Sequence, residues 1–163
     1  MTRTKTPPTA STSTTKKTTS TTMSPLHLDA QLCFAISRAA RAMTSTYAPL
    51  LEPLGLTHPQ YLVMLVLWEQ DAQRVTDIGT RLHLDSGTLT PLLKRLEQRG
   101  LVERRRGVDD ERTVFIHLTA EGRALRQRAE QIPEGMACKV ALDVDEFVGL
   151  RAQLLALADR LRG

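Results

Sequence analysis

The sequence predicts a mainly α-helical fold with a small β-hairpin: a winged helix-turn-helix flanked by N- and C-terminal helices. Three observations predict it. Apolar residues recur at spacings of three and four over residues 29–51, 86–99 and 145–161. Two helical runs meet at the turn His83-Leu84-Asp85, and two short strand-like runs follow, separated by a charged loop. The first and last helices carry apolar faces that so small a module cannot cover, so each is expected to pair with the same elements of a second subunit.

The elements follow in order. Residues 1–25 are mostly Thr, Ser, Lys and Pro and bury too little apolar surface to offset chain entropy, so this head is expected to be a disordered tail. From Asp29, a suitable N-cap or first-turn acid, the positions Leu32, Cys33, Ile36, Ala39, Ala40, Met43, Tyr47, Leu50 and Leu51 form one helical stripe. Pro49 and Pro53 weaken and end it, and Gly55 turns the chain. Thr57 caps the next helix, with Pro59 in its first turn, where a missing N–H costs nothing. The run Tyr61–Trp68 is apolar all round, as a helix at the centre of a core should be.

A short helix over 76–82 follows, then one from Ser86 to Arg99 with Gly100 behind it as C-cap. Pro91 is tolerated because it lies near that helix's start. Residues 101–105 and 113–118 read as the two strands of the wing, with a tight charged loop at 107–112. A helix opens at Thr119-Ala120-Glu121-Gly122 and runs to about Gln131. Pro133 and Gly135 interrupt, and a last amphipathic helix over 145–161 presents Phe147, Leu150, Leu154, Leu157 and Leu161 on one face. The expected organisation is therefore a tail (1–25), an N-terminal dimerisation and sensor helix (26–56), the winged helix-turn-helix (57–118) and C-terminal dimerisation helices (119–163).

Charge locates the working surface. The formal net charge is +4, from 22 basic and 18 acidic residues. The head carries Arg3, Lys5, Lys16 and Lys17 and no acid, so residues 26–163 hold 18 of each sign. A nucleic-acid surface must then come from clustering. It does: residues 81–106 contain seven bases (Arg81, Lys94, Arg95, Arg99, Arg104, Arg105, Arg106) and three acids (Asp85, Glu97, Glu103). Within that stretch the helix from Ser86 has the composition of a recognition helix. Ser86, Gly87, Thr88 and Thr90 are small and polar enough to approach base edges and phosphates, and Lys94 and Arg95 follow on the outer surface. Arg104 and Arg106 extend the patch into the wing. At the wing tip, Arg112 held by Asp110 could be an ordinary charged loop or a minor-groove arm; the helix-turn-helix upstream favours the arm.

Two cysteines far apart in sequence make neither a metal motif nor a secreted scaffold and fit a reducing cytoplasm, where a disulfide is transient. No apolar run approaches membrane-spanning length and no secretory segment follows Met1, so no membrane partner is expected. A lone thiol on an apolar stripe is more often inert packing than a reactive group, and the residues around Cys33 leave both readings open. An enzyme is not supported. His27, His58, His83 and His117 lie in unrelated elements without metal-ligand spacing, no glycine loop cradles a phosphate, and nothing calls for a cofactor.

Several strings are specific. The helix-turn-helix, then Leu93-Lys94-Arg95-Leu96-Glu97-Gln98-Arg99-Gly100-Leu101-Val102, Asp110-Glu111-Arg112 and Leu118-Thr119-Ala120-Glu121-Gly122, resemble the MarR family of winged-helix repressors. Leu32-Cys33-Phe34-Ala35, the run from Pro59 to Glu69 and the run from Leu84 to Leu96 resemble its organic hydroperoxide regulator branch, two-cysteine subclass. The resemblance covers about residues 28–160. It implies a homodimer on palindromic operator DNA, with a cysteine matching Cys33 oxidised by organic hydroperoxide or hypochlorite and the DNA then released. It also implies a resolving cysteine on the other subunit, which Cys138 matches.

In that branch two tyrosines support the reactive thiolate. Tyr47 matches one; His58 stands where the other would be. His58 could donate a hydrogen bond, act as a cation, or simply begin its helix. Tyr47 follows Cys33 by fourteen residues, which is ~21 Å along a continuous helix. A Tyr47–Cys33 contact would therefore need a second subunit. The other reading within transcription is a repressor relieved by a small phenolic or lipophilic ligand, with Cys33 structural.

Overall fold

Helix α1 (Leu32–Leu51) opens the ordered architecture, and the order thereafter is α2 (His58–Glu69), β1 (Gln73–Arg74), α3 (Val75–Leu82), α4 (Ser86–Gln98), β2 (Val102–Arg106), β3 (Val114–Leu118), α5 (Ala120–Ala129), α6 (Ile132–Val140) and α7 (Val144–Arg162). The computed structural model describes residues 24–107 and 112–162. The tail expected at 1–25 thus lies almost wholly outside the described residues, as does Asp110. The chain divides into two units at the junction of Ser37 and Arg38.

In the first unit a 3₁₀ turn, Leu28–Ala30, precedes α1. Asp29 lies inside that turn rather than capping the helix. The Gln31 side chain folds back onto the Pro25 carbonyl. α1 begins here at Leu32 and continues into the second unit.

In the second unit α1 passes through Pro49 and ends at Leu51, where a 3₁₀ turn, Glu52–Leu54, takes over. Pro49 does not end the helix at once: α1 runs two residues further, to Leu51, with one helical hydrogen bond forfeited at the proline. Gly55 closes the turn at φ 64°, a left-handed backbone that glycine adopts without penalty. The Thr57 N–H donates to Gln60 Oε1 at 2.9 Å, which starts α2. α2 is the central element, with Tyr61, Val63, Met64, Val66, Leu67 and Trp68 all buried. Leu89, Leu93 and Leu96 of α4, Ile78 of α3 and Ile116 of β3 join it in one core.

The sheet has three antiparallel strands in the order β1-β3-β2, where the sequence suggested two. β2 and β3 form the expected hairpin, with Arg104 opposite Ile116. β1 adds Gln73 opposite Ile116 and Arg74 opposite Phe115. A two-residue strand shows no alternation, so only its pairing reveals it. Pro133 is also placed differently. It begins α6 rather than interrupting a helix, since its missing N–H is one that no helical carbonyl would have accepted.

One junction holds sheet and helices together. Asp71 follows α2, and its Oδ1 accepts the N–H groups of Ala72 at 2.7 Å and of Leu118, in β3, at 2.8 Å. Its Oδ2 accepts from Arg123 of α5 at 2.7 Å. Nearby, Trp68 Nε1 donates to the Gly122 carbonyl at 2.8 Å. A Cβ on Gly122 would collide with the Leu101 carbonyl, so α5 and the start of the wing approach as closely as only glycine permits.

Candidate nucleic-acid interface and thiol site

α4 begins where Asp85 caps it. The carboxylate takes the Thr88 N–H on Oδ1 at 2.8 Å and the Thr88 hydroxyl on Oδ2 at 3.0 Å. These bonds from Thr88 hold the Asp85 carboxyl below its usual range. The Thr88 hydroxyl proton is thereby committed to the cap and can meet DNA only as an acceptor. Asp85 was expected in the turn, and its role as cap was missed. An acid three residues before Thr88, at a helix start, was the available signal.

The remaining face follows from period 3.6. Leu89, Leu93 and Leu96 are buried and Leu92 half-buried, which leaves Ser86, Gly87, Thr88, Thr90, Lys94 and Arg95 exposed. Ser86, Thr90 and Lys94 are four apart and share one stripe. The wing contributes Arg104, Arg105 and Arg106, all exposed. Arg104 ties wing to helix, with Nε 3.3 Å from Glu97 Oε2 and Nη2 3.5 Å from the Thr90 carbonyl. Arg105 pairs with Glu103 on its own strand, and Arg81 with Glu69 of α2. Among the described residues, Lys94, Arg95 and Arg106 have no carboxylate partner. Arg99, exposed at the C-cap of α4, donates to the Leu54 carbonyl at 3.0 Å and to the Gly55 carbonyl. Arg112 is exposed just before β3 and is engaged within the fold; its supposed partner Asp110 is not among the described residues.

Cys33 is exposed in the first turn of α1. Cys138 is exposed near the end of α6.

The structure brings Tyr47 and His58 together. Their ring centroids are 4.8 Å apart, and Tyr47 also faces Tyr61 at 5.9 Å. Tyr61 meets Trp68 edge-on at 6.2 Å. Burial pushes the Tyr47 phenol up and the His58 imidazolium down. Burial, and then the nearby Tyr47, raise Tyr61 as well. Tyr47 and His58 are therefore both neutral near pH 7 and can hydrogen-bond, and the reading of His58 as a cation is disfavoured. Tyr61 was missed as part of this cluster because it lies in a run that reads as core.

Among the described residues no group of His, Cys, Asp and Glu could hold a metal ion, and no helix is long and apolar enough to cross a membrane.

Comparison with known proteins places this arrangement. The family model of the SarA/Rot transcriptional regulators matches residues 45–129. The organic hydroperoxide resistance transcriptional regulator of Bacillus subtilis is 50% identical over 136 residues, which is 83% of this chain and 92% of that protein. Among solved structures, reduced AbfR of Staphylococcus epidermidis bound to DNA is 37% identical with a TM-score of 0.70, over 83% of this chain and 92% of that one. Disulfide-formed AbfR is 38% identical with a TM-score of 0.56, over 83% and 90%.

Proposed function

Because this chain belongs to the MarR family of winged-helix transcriptional regulators, in its organic hydroperoxide-sensing branch, we propose that Cys33 is the thiol through which an oxidant removes it from operator DNA. It is a redox-sensing DNA-binding repressor, not an enzyme. The observation that carries the reading is the 50% identity to the organic hydroperoxide resistance regulator of Bacillus subtilis, joined to a second thiol, Cys138, in the same chain.

The chemistry balances without a cofactor. The Cys33 thiolate attacks the hydroxyl oxygen of an organic hydroperoxide, the O–O bond breaks and the alcohol leaves. Sulfur has then lost two electrons as a sulfenic acid. Condensation with the Cys138 thiol of a second subunit forms the S–S bond and releases water. The disulfide-formed AbfR structure supports such a step in a relative. In this reading the Cys33 site is completed by Tyr47 and His58 of a second copy. Tyr47 and His58 are the thiolate-supporting pair in this reading.

The dimer forms through the terminal helices. Val144, Phe147, Val148, Leu150, Leu154, Leu155 and Leu161 of α7 are exposed, as are Leu28, Leu32 and Met43. Covering them with a second copy removes apolar surface from water. Operator DNA meets Ser86, Gly87, Thr88, Thr90, Lys94 and Arg95 in the major groove, with Arg104, Arg106 and Arg112 on the wing. In this reading, two thiols that must stay reduced until challenged fit a protein of the reducing cytoplasm.

The test is Cys33→Ser. It should bind operator as the wild type does and stay bound after cumene hydroperoxide. Release to the wild-type extent would overturn the assignment.

A further inference from the structure

The turn between α1 and α2 is bolted to the recognition helix. The Arg99 guanidinium, at the C-cap of α4, donates to the Leu54 carbonyl at 3.0 Å and to the Gly55 carbonyl. From α5, Arg128 Nη2 donates to the Pro53 carbonyl at 2.6 Å. Three consecutive carbonyls at a helix end, where backbone acceptors lack partners and partial negative charge collects, are thus held by two cations. Gly55 makes the fit possible twice over. It takes φ 64°, and a Cβ there would press on the Arg99 guanidinium.

The same turn joins the residues of the thiol site. Tyr47 precedes it on α1, His58 follows it on α2, and their rings meet at 4.8 Å. A change in the spacing of those rings must therefore move the turn between them. The turn in turn holds one end of α4. α4 has 13 residues, or ~20 Å of rigid helix. A small tilt at Arg99 is carried along it to Ser86, Gly87 and Thr90.

We propose that Arg99 is the positioning residue that couples the Tyr47–His58 site to the recognition helix, so that oxidation at Cys33 lowers operator affinity through the Arg99–Leu54/Gly55 clamp. The inference rests on Cys33 being the sensor. Arg99 acts through α4 and does not itself contact a phosphate.

The experiment measures operator affinity of wild type, Arg99→Met and Arg99→Lys, reduced and after one equivalent of cumene hydroperoxide, at several salt concentrations. Mass spectrometry follows Cys33 in parallel. In Arg99→Met the ratio of oxidised to reduced dissociation constants should shrink about tenfold, within the usual range of coupling between sites. Cys33 should oxidise as in wild type. The salt dependence of binding should be unchanged. Arg99→Lys should resemble Arg99→Met, because one ammonium does not reproduce a planar fork on two carbonyls.

A wild-type ratio in Arg99→Met overturns the coupling. So does a salt slope lower by about one, which would make Arg99 a phosphate contact. Should Arg99→Met not fold, Arg128→Met, which loosens the same turn, must lower the ratio; a wild-type ratio there also overturns it. Wild type oxidised at Cys33 yet still on DNA would instead sink the sensor reading, a distinct result.

Discussion

Tyr47 and His58 face each other across the α1–α2 turn, ring centroids 4.8 Å apart and planes inclined by 33°. The pair replaces the two phenols expected of this branch by a phenol and an imidazole. Burial holds His58 below the ordinary histidine value of 6.5. The unfolded chain therefore takes up this proton first as pH falls. Stability contributed by neutral His58 is complete above about pH 6.5 and is lost as pH drops through the lower folded value. Wild type should lose more melting temperature between pH 7 and 5 than His58→Gln. A constant difference between the two melting curves across that range would refute this.

Cys138 separates sensing from cross-linking. Cys138→Ser should still form the sulfenic acid at Cys33 under organic hydroperoxide, detectable by mass spectrometry. It should not give the covalent dimer on a non-reducing gel. A dimer band as strong as in wild type would exclude Cys138 as the resolving thiol.

Asp71 should matter to the wing although it lies outside the DNA-facing surface. Desolvation pushes its carboxyl up, but the Leu118 and Ala72 N–H groups and Arg123 outweigh it and hold it below 3.8. Its contribution is therefore present above the ordinary carboxylate range and fades in more acidic solution. Asp71→Ala leaves the part-buried Leu118 N–H without its acceptor. The cost should be about 1–3 kcal/mol, read by denaturant unfolding near pH 7, and should shrink toward pH 3. A neutral substitution would mean that water replaces the carboxylate.

Lys94, Arg95 and Arg106 should dominate the ionic part of operator binding. Replacing any one by Ala should lower the slope of log affinity against log salt by about one. Full retention of the slope in all three would move the phosphate-contacting surface elsewhere.

The hairpin was legible because two short strand-like runs on either side of a charged loop are a local signal. So was α4, whose leucines, three and four apart, leave a small polar first turn outside. Asp85 was legible in principle and was overlooked. Asp71 and Arg99 were not. Asp71 meets Leu118 47 positions away, and Arg99 meets Leu54 45 positions away. No spacing rule reaches that far.

The sequence by itself determined the helices from α1 to α4, the hairpin after them, the start of α4 at Ser86 and the clustering of bases around it. Those properties depend on contacts three or four residues apart, on caps and on composition. Only the tertiary structure decided that β1 completes the sheet and that Arg99 bonds the α1–α2 turn. It also decided that Tyr47 meets His58 and that Cys33 stands exposed. A helical stripe states which side chains share a face. Whether that face is covered depends on what packs against it, and that is settled only when distant segments meet.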